Sequence, residues 1–162
     1  DYVGMKYLAV ATIQAFIIIG TLFLYYFVDI LAMGRGWAWI LDTFPMFLTT
    51  VFCALLLVVT YTSIGLALSS VSRGKFFPGI ALLALLLGTK TLAAIVEGLF
   101  DRSILYLISP YDSVAHVGQA LIGTNVVYDH PWIWSLASVV AINAIALYVL
   151  SVRVSSMEVT RE

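Results

Sequence analysis

The chain has 162 residues and a formal net charge of −1; 62% of its residues are hydrophobic and 10% are charged. Its mean hydropathy of +1.05 excludes a soluble domain, because a chain of this size could not bury so much apolar surface, and predicts an integral membrane protein. The small net charge and the pI of about 6.1 give no indication of a nucleic-acid partner.

Three long stretches without a charged residue, and a fourth broken only by Lys90, predict the segments that cross the bilayer. A bilayer core about 30 Å thick needs roughly 20 apolar helical residues, and each stretch is long enough. We therefore predict an all-α, polytopic helical membrane protein with a single transmembrane domain over residues 1–162. The four transmembrane helices are expected at about 6–29, 44–69, 76–97 and 131–153.

The connections between these spans are short, so that the positive-inside rule applies to them. A cytoplasmic N-terminus leaves only Arg35 and Arg102 as basic residues on the opposite side. The cytoplasmic basic residues are then Lys6, Arg73, Lys75, Arg153 and Arg161. This bias predicts a multi-pass protein of the cell membrane with both ends of the segment in the cytoplasm. Trp37 and Trp39 fit interfacial anchors, with stacking on a ligand as the alternative.

The connection between the second and third spans is a tight basic turn, Ser69-Ser70-Val71-Ser72-Arg73-Gly74-Lys75. It is not a phosphate-binding loop, because that pattern needs a glycine where this chain has Ser69. The sequence also lacks a Gly-x-Ser-x-Gly motif, a His-Glu-x-x-His motif and a second cysteine beside Cys53. We therefore predict neither catalytic residues nor a cofactor site in this chain.

The stretch between the third and fourth spans, about 98–130, is too long for a hairpin and too apolar for a plain loop. Residues 104–108 form one short apolar piece. Ser109 and Pro110 then provide a capping residue and a proline, which are typical of a helix start, and Gly123 provides a stop. We predict two short external helices that dip into the outer membrane surface or cap the bundle.

Lys90 lies deep in the third span, where an ammonium group is costly unless it faces a cavity, pairs or reaches the headgroups. Glu97 follows seven residues later and so projects from the same face of the helix. Thr89 and Thr91 flank the lysine and widen the polar patch. These four residues are our candidates for a substrate path or subunit interface; the alternative is that Lys90 snorkels to the outer headgroups.

Other polar residues allow two further interpretations. The hydroxyl run Thr60-Tyr61-Thr62-Ser63 and Asn143 fit helix packing, with a polar transport path as the alternative. Asp112 and His116, four residues apart, and the nearby Asp129-His130 pair could in principle bind a metal. Such pairs are common on solvated helix faces, and we predict no metal site.

Four local similarities follow one another along the chain in the order found in one transporter family. They are Gly4-Met5-Lys6-Tyr7-Leu8-Ala9, the "GLxLSSxSR"-like segment from Gly65 to Arg73, the "LSPFD"-like segment from Ile108 to Asp112, and the tail from Tyr148 to Glu158. In these segments the chain resembles a type-2 ABC exporter permease, the membrane subunit of an ATP-driven transporter. The family typically has six spans, and the chain, which begins with Asp1, would be a fragment that supplies the third to the sixth.

The resemblance implies two permeases around a central path, each docked on a separate ATP-binding cassette subunit that carries the ATP. It implies that Arg73 and Lys75 face this ATPase subunit. It further implies an outer gate formed by Ser109, Pro110, Tyr111 and Asp112. The alternatives are a non-transport membrane scaffold or anchor and an intramembrane or surface enzyme that uses His116, His130 and the nearby aspartates.

Overall fold

A computed structural model describes residues 2–72, 74 and 76–159 of the chain, with side chains for 3–72, 74 and 76–153. The elements are α1 (Tyr2–Ala32), α2 (Trp37–Val71), α3 (Phe77–Phe100), a 3-10 segment (Ile104–Ile108), α4 (Pro110–Ile122) and α5 (Trp132–Val159). The described residues form no strand, so the all-α prediction is confirmed for them. Arg73 and Lys75 of the predicted ATPase-side loop lie outside the described residues.

Four of these helices, α1, α2, α3 and α5, are long and apolar enough to cross a membrane. They extend beyond the predicted spans, most of all at α2, which begins at Trp37 instead of near residue 44. Pro45 lies inside α2 and does not end it, although a proline lacks the N–H that would donate to the carbonyl one turn earlier. At 35 residues, α2 is about 50 Å long and exceeds the roughly 30 Å hydrocarbon core.

The long helices connect alternately at two ends of the bundle. Gly34, with a φ of +58°, turns the chain between α1 and α2. We call the end where α2 begins the Trp37 end, and the end where it finishes the Val71 end. Since α3 begins next to Val71 and runs back, Phe100 lies at the Trp37 end, and α5 starts again from there at Trp132.

Helix α4 lies inside the bundle, because the chain turns back after α3. Pro110, at the start of α4, borders the same groove as Leu85 of α3. Fifteen residues separate Leu85 from Phe100, which corresponds to about 22 Å along α3. Further along α4, a Cβ at Gly118 would lie 3.1 Å from the Cys53 Sγ of α2. Helix α4 therefore starts deep between α2, α3 and α5 and rises towards the Trp37 end, antiparallel to α2.

The two short external helices predicted between α3 and α5 are not confirmed, because residues 101–131, all of which the structure describes, contain one α-helix, α4. Residues 104–108 instead form a 3-10 turn, in which the Tyr106 N–H donates to Ser103 O and the Ser109 N–H donates to Tyr106 O. A segment of only five residues readily adopts the i→i+3 hydrogen bonds of a 3-10 helix, which is tighter than an α-helix. The predicted start at Ser109 and end at Gly123, which has a φ of +76°, are both found.

Burial is distributed unevenly among the helices. Seven of the thirteen residues of α4 are buried, and α2 buries 44% of its most apolar stretch. Helix α3 buries only Ala93, and the most apolar stretch of α1 contains no buried residue. The exposed apolar faces of α1 and α3 are suited to lipid or to another membrane chain.

Candidate functional site

Polar side chains gather where α4 meets the start of α5 and the segment before it. We define the histidine cluster as Asp112, His116, Tyr128, His130 and Ser135. His116 is 1% exposed, Asp112 is 5% exposed and Ser135 has no exposed surface. Buried polar groups are stable only when their hydrogen bonds are made within the protein, so the contacts inside this cluster decide what it can do.

The hydroxyl of Ser135 joins the two histidines. Its Oγ lies 2.8 Å from His116 Nδ1 and 3.0 Å from His130 Nε2. The two imidazole rings are perpendicular, with centroids 4.8 Å apart. A serine hydroxyl has one hydrogen to donate and lone pairs to accept, so it donates to one neutral imidazole and accepts from the other. The tautomers of the two histidines are therefore coupled through one side chain.

Burial keeps this pair of histidines neutral. It lowers the pKa of His116, and the neighbouring His130 lowers it further. Burial also lowers the pKa of His130, against an opposing effect of Asp129. Since an unperturbed histidine titrates near pH 6.5, both rings are uncharged at neutral pH. The Nδ1 atom of His130 is buried and has no hydrogen-bond partner among the described residues.

Asp112 ties the histidine cluster to the start of α4. Its Oδ2 accepts from Ser109 Oγ at 2.6 Å, and its Oδ1 accepts from the Tyr128 hydroxyl at 3.4 Å. The Asp112 N–H donates to Ser109 Oγ, which closes the helix cap. Burial, and then Asp112, raise the pKa of Tyr128, so this phenol remains a donor.

A second polar layer lies nearer the Trp37 end. The Tyr106 hydroxyl donates to Glu97 Oε2 at 2.6 Å, and this hydrogen bond is the main cause that raises the pKa of Tyr106 to about 12. Ser103 Oγ accepts from the Asp129 N–H at 2.8 Å. The rings of Tyr106 and Tyr128 meet edge to face at 5.5 Å. Glu97 thus links α3 to the histidine cluster through two tyrosines.

The hydroxyl run of α2 makes contacts with neighbouring helices. Asn143 Nδ2 of α5 donates to Thr60 Oγ1 at 2.9 Å, and Thr62 Oγ1 donates to Gln14 Oε1 of α1 at 2.9 Å. Both threonines are buried. These hydrogen bonds are typical of helix packing in membranes and support that interpretation of the run.

An apolar groove of about 340 Å³ lies at the start of α4, on the side opposite to the histidine cluster. It runs between α2, α3 and α5, and Ile108 and Pro110 border it towards the Trp37 end. Among the described residues that line it, Thr89 is the one polar residue. Its other walls include Ile64, Ala67, Leu85, Ile142 and Ala146. The groove is therefore almost wholly apolar and extends from the start of α4 to Val71, the last residue of α2.

The predicted path residues of α3 lie along its length in different surroundings. Lys90 is exposed, and its Nζ lies 4.8 Å from the ring centroid of Tyr111, within the range of a cation–π contact. Thr89 lines the groove, whereas Thr91 is exposed and donates to a carbonyl of its own helix. Glu97 is engaged by Tyr106 as described above. The structure thus places Thr89 in the lining of the groove, Lys90 one residue further along α3 in contact with Tyr111, and Glu97 about two turns beyond Lys90.

The predicted gate residues lie at the deep start of α4. Ser109, Pro110 and Asp112 are buried, and Tyr111 is exposed beside Lys90. Ser109 and Asp112 cap the helix, while Pro110 borders the groove. Their role as a gate stays a prediction.

Sequence reasoning noticed both histidines but missed their connection through Ser135. The spacing of Asp112 and His116 suggested a solvated helix face, whereas both side chains are buried. A single serine inside an apolar span, such as Ser135, carries no signal of its own. In the described part of the chain, no group of three His, Cys, Asp or Glu side chains is arranged to hold a metal ion.

Comparison of the chain with known protein families, curated proteins and solved structures found no match. The geometry and the sequence resemblance are therefore the basis for assigning a function. Four helices of membrane-spanning length and composition fit a multi-pass membrane protein.

Proposed function

We propose that the chain is part of the transmembrane permease subunit of an ABC-type, ATP-driven exporter. It forms the substrate path together with a second permease, and separate ATP-binding subunits hydrolyse the ATP. The observation that carries this proposal is the inward position of α4, whose Pro110 borders an apolar groove and whose Tyr111 contacts Lys90. A groove between helices at membrane depth offers a place for cargo, and α4 is an element that can open or close it.

The exposed faces of the bundle support the association with a second permease. Helices α1 and α3 expose apolar side chains along most of their length, and Lys90 is an exposed charge on α3. Lipid alone would cover the apolar faces, but it offers little compensation to an ammonium group at this depth. A path or subunit interface along α3 gives Lys90 a polar surrounding.

Helix α4 is suited to couple this path to the rest of the bundle. It contacts α2 through Gly118, α3 through Tyr111 and α5 through His116. In the proposed cycle, closure of the ATP-binding subunits shifts the long helices, and α4 follows because its contacts reach three of them. The start of α4, from Ser109 to Asp112, then acts as the gate.

The proposal is tested by purifying the native, full-length protein in a gentle detergent and identifying its partners by mass spectrometry. We expect a stoichiometric subunit that carries a phosphate-binding loop, together with ATPase activity. A known ABC exporter purified from the same membranes is the control that the detergent preserves such complexes. Recovery of the control with its ATPase, but of this protein without one, contradicts the proposal and favours the non-transport scaffold.

A variant series at Lys90 tests the path itself. If the charge faces the path, Lys90→Ala impairs transport or ATPase coupling more than Lys90→Arg, because only the arginine keeps a cation there. Equal activity of both variants and of the wild type contradicts a role in the path and favours snorkelling to the headgroups.

A further inference from the structure

We infer that Lys90 and the apolar groove form one binding site for a single-chain anionic amphiphile, with a long-chain carboxylate as the chemical class. The cation binds the head group and the groove binds the alkyl tail. The inference rests on the proposed function in one respect, since such a molecule would be the exported substrate.

Lys90 has the charge that such a head group needs and has no counter-ion in the described part of the chain. It lies thirteen residues from Phe77 and ten from Phe100, so either end of α3 is about 15 to 20 Å away. No described carboxyl group is within ion-pair distance of its Nζ, which instead faces the Tyr111 ring at 4.8 Å. An ammonium group at this depth costs several kcal/mol, and a bound carboxylate would compensate for much of that cost.

The acidic residue of α3 does not act as a counter-ion for Lys90. Glu97 is two turns from Lys90 and accepts the hydrogen bond of Tyr106 at 2.6 Å. Asp112 of α4 is buried and is bonded to Ser109 and Tyr128. Among the described residues, Lys90 is therefore a cation without a carboxylate partner, which favours a ligand with one negative charge.

The proposed head site directly follows the tail site in the sequence of both α3 and α4. Thr89 and Pro110 line the groove, and their chain neighbours Lys90 and Tyr111 form the cation–π contact. The Thr89 hydroxyl donates to Leu85 O of its own helix at 2.8 Å, so it does not demand a polar group in the tail. The groove extends from this border towards the Val71 end, away from the charge.

The size of the groove selects one alkyl chain. Its volume of about 340 Å³ is near the lower limit of the roughly 300–1,000 Å³ typical of small-molecule sites. This space suits a single tail better than the two tails of a phospholipid. An uncharged amphiphile would fill the groove but leave Lys90 without a counter-ion, and a cationic amphiphile would be repelled.

The test measures ligand binding to the full-length protein in nanodiscs of zwitterionic phosphatidylcholine. The probes are dodecanoate, dodecanol and dodecyltrimethylammonium, which share a tail and differ in the charge of the head. We expect dodecanoate to bind at least about tenfold more tightly than the other two probes. Lys90→Gln should remove this preference and Lys90→Arg should retain it, while Lys6→Gln, at an exposed lysine of α1, should have no effect.

A second variant pair tests the tail site. Ile145 lines the groove and is 65% exposed, so Ile145→Trp can fill the groove without disturbing a packed core. We expect it to weaken dodecanoate and dodecanol alike by at least about tenfold. Ile133→Trp is the matched control, since Ile133 is similarly exposed on the same helix but is absent from the groove lining.

Three results would overturn the inference: equal affinity for dodecanoate and dodecanol, unchanged dodecanoate binding by Lys90→Gln, or unchanged tail binding by Ile145→Trp. The binding assay needs no ATPase partner. Selective binding of dodecanoate by a protein that copurifies with no ATPase would therefore refute the permease and leave the binding site standing. Copurification with an ATPase, together with no preference for dodecanoate, would refute the binding site and leave the permease proposal standing.

Discussion

Helices α3 and α4 differ in what they bury, and the difference shows where the chemistry of this membrane protein lies. Helix α3 has 24 apolar-rich residues and buries only Ala93. Helix α4 has 13 residues and buries seven, among them Asp112, Ser113 and His116. In lipid, apolar side chains need no cover while polar groups need partners, so the less hydrophobic helix lies inside. Hydropathy thus identifies the membrane-spanning helices, whereas the polar residues between them identify the helix that lies inside the bundle.

The largest effect is expected from a substitution that disrupts the contact between α4 and α2. A Cβ at Gly118 would lie 3.1 Å from Cys53 Sγ, so Gly118→Leu forces the two helices apart and should destabilise the protein by about 1–3 kcal/mol. Cys53→Ala should restore part of the loss by making space. The measurement is the free energy of unfolding in mixed micelles.

Gly88→Leu on α3 is the matched control for this comparison. A Cβ at Gly88 meets no heavy atom within 4 Å, so the substitution should be neutral or slightly stabilising through helix propensity. An equal loss of stability at Gly88 and Gly118 would show that the two helices are equally packed, contrary to the structure.

The next effect concerns the shared hydroxyl of the histidine cluster. Ser135→Ala keeps a similar volume but leaves His116 and His130 without their common partner, at a cost of about 1–3 kcal/mol. Thr91→Val on α3 is the control, because that exposed hydroxyl bonds only to its own helix, and it should change stability by less than about 0.5 kcal/mol. Thermal unfolding in detergent measures both. Equal stabilities of Ser135→Ala and the wild type would show that these hydrogen bonds do not stabilise the fold.

Acidification should destabilise the region around α4. The pKa values of His116 and His130 are lowered in the folded state by burial, whereas an unfolded histidine titrates near pH 6.5. The unfolded chain therefore binds more protons as the pH falls below about 6.5, and stability declines until the lowered folded pKa values are passed. The slope is at most about 1.4 kcal/mol per pH unit for each histidine.

Unfolding measured between pH 7.5 and 5 tests this slope. The variant His116→Asn with His130→Asn should show a flatter pH dependence than the wild type over the same interval. A wild-type stability that rises on acidification would mean that the cluster favours protonated histidine, contrary to its burial.

The smallest expected effect is at the hydrogen bond between α5 and α2. Asn143→Leu removes the bond to Thr60 and should cost about 0.6 kcal/mol, the average for hydrogen bonds between helices in membranes. The cost is limited because Asn143 Oδ1 has no partner among the described residues, and its removal offsets part of the loss. A double-mutant cycle with Thr60→Val isolates the coupling, and additivity of the two substitutions would contradict the contact.

The sequence predicted those features that depend on local chemistry. Runs of apolar residues located four helices of spanning length, although α2 begins earlier than expected. Ser109 and Gly123 marked the ends of α4, since capping depends on neighbouring residues. The 3-10 form of residues 104–108 was missed, because a five-residue apolar piece does not indicate which hydrogen-bond pattern it adopts.

The site depended on contacts between distant parts of the chain and could not be predicted. Ser135 lies nineteen residues after His116, on another helix, and Gly118 meets Cys53 of α2. The inward fold of α4 creates both contacts, and no periodicity in residues 98–130 specifies that direction. Lys90 was singled out as an unusual charge, but its contact with Tyr111 required the structure.

The most direct test of the permease assignment is whether ATP changes the exposure of the start of α4. A single cysteine at Tyr111, in a Cys53→Ala background, is labelled with a membrane-impermeant maleimide in native membranes before and after trapping with ATP and vanadate. Tyr111 is 50% exposed beside Lys90, so a gate at this position must change its access to water during the cycle. The permease assignment predicts a clear difference in labelling between the two states. Identical labelling, in membranes where a known exporter does respond to trapping, would contradict it.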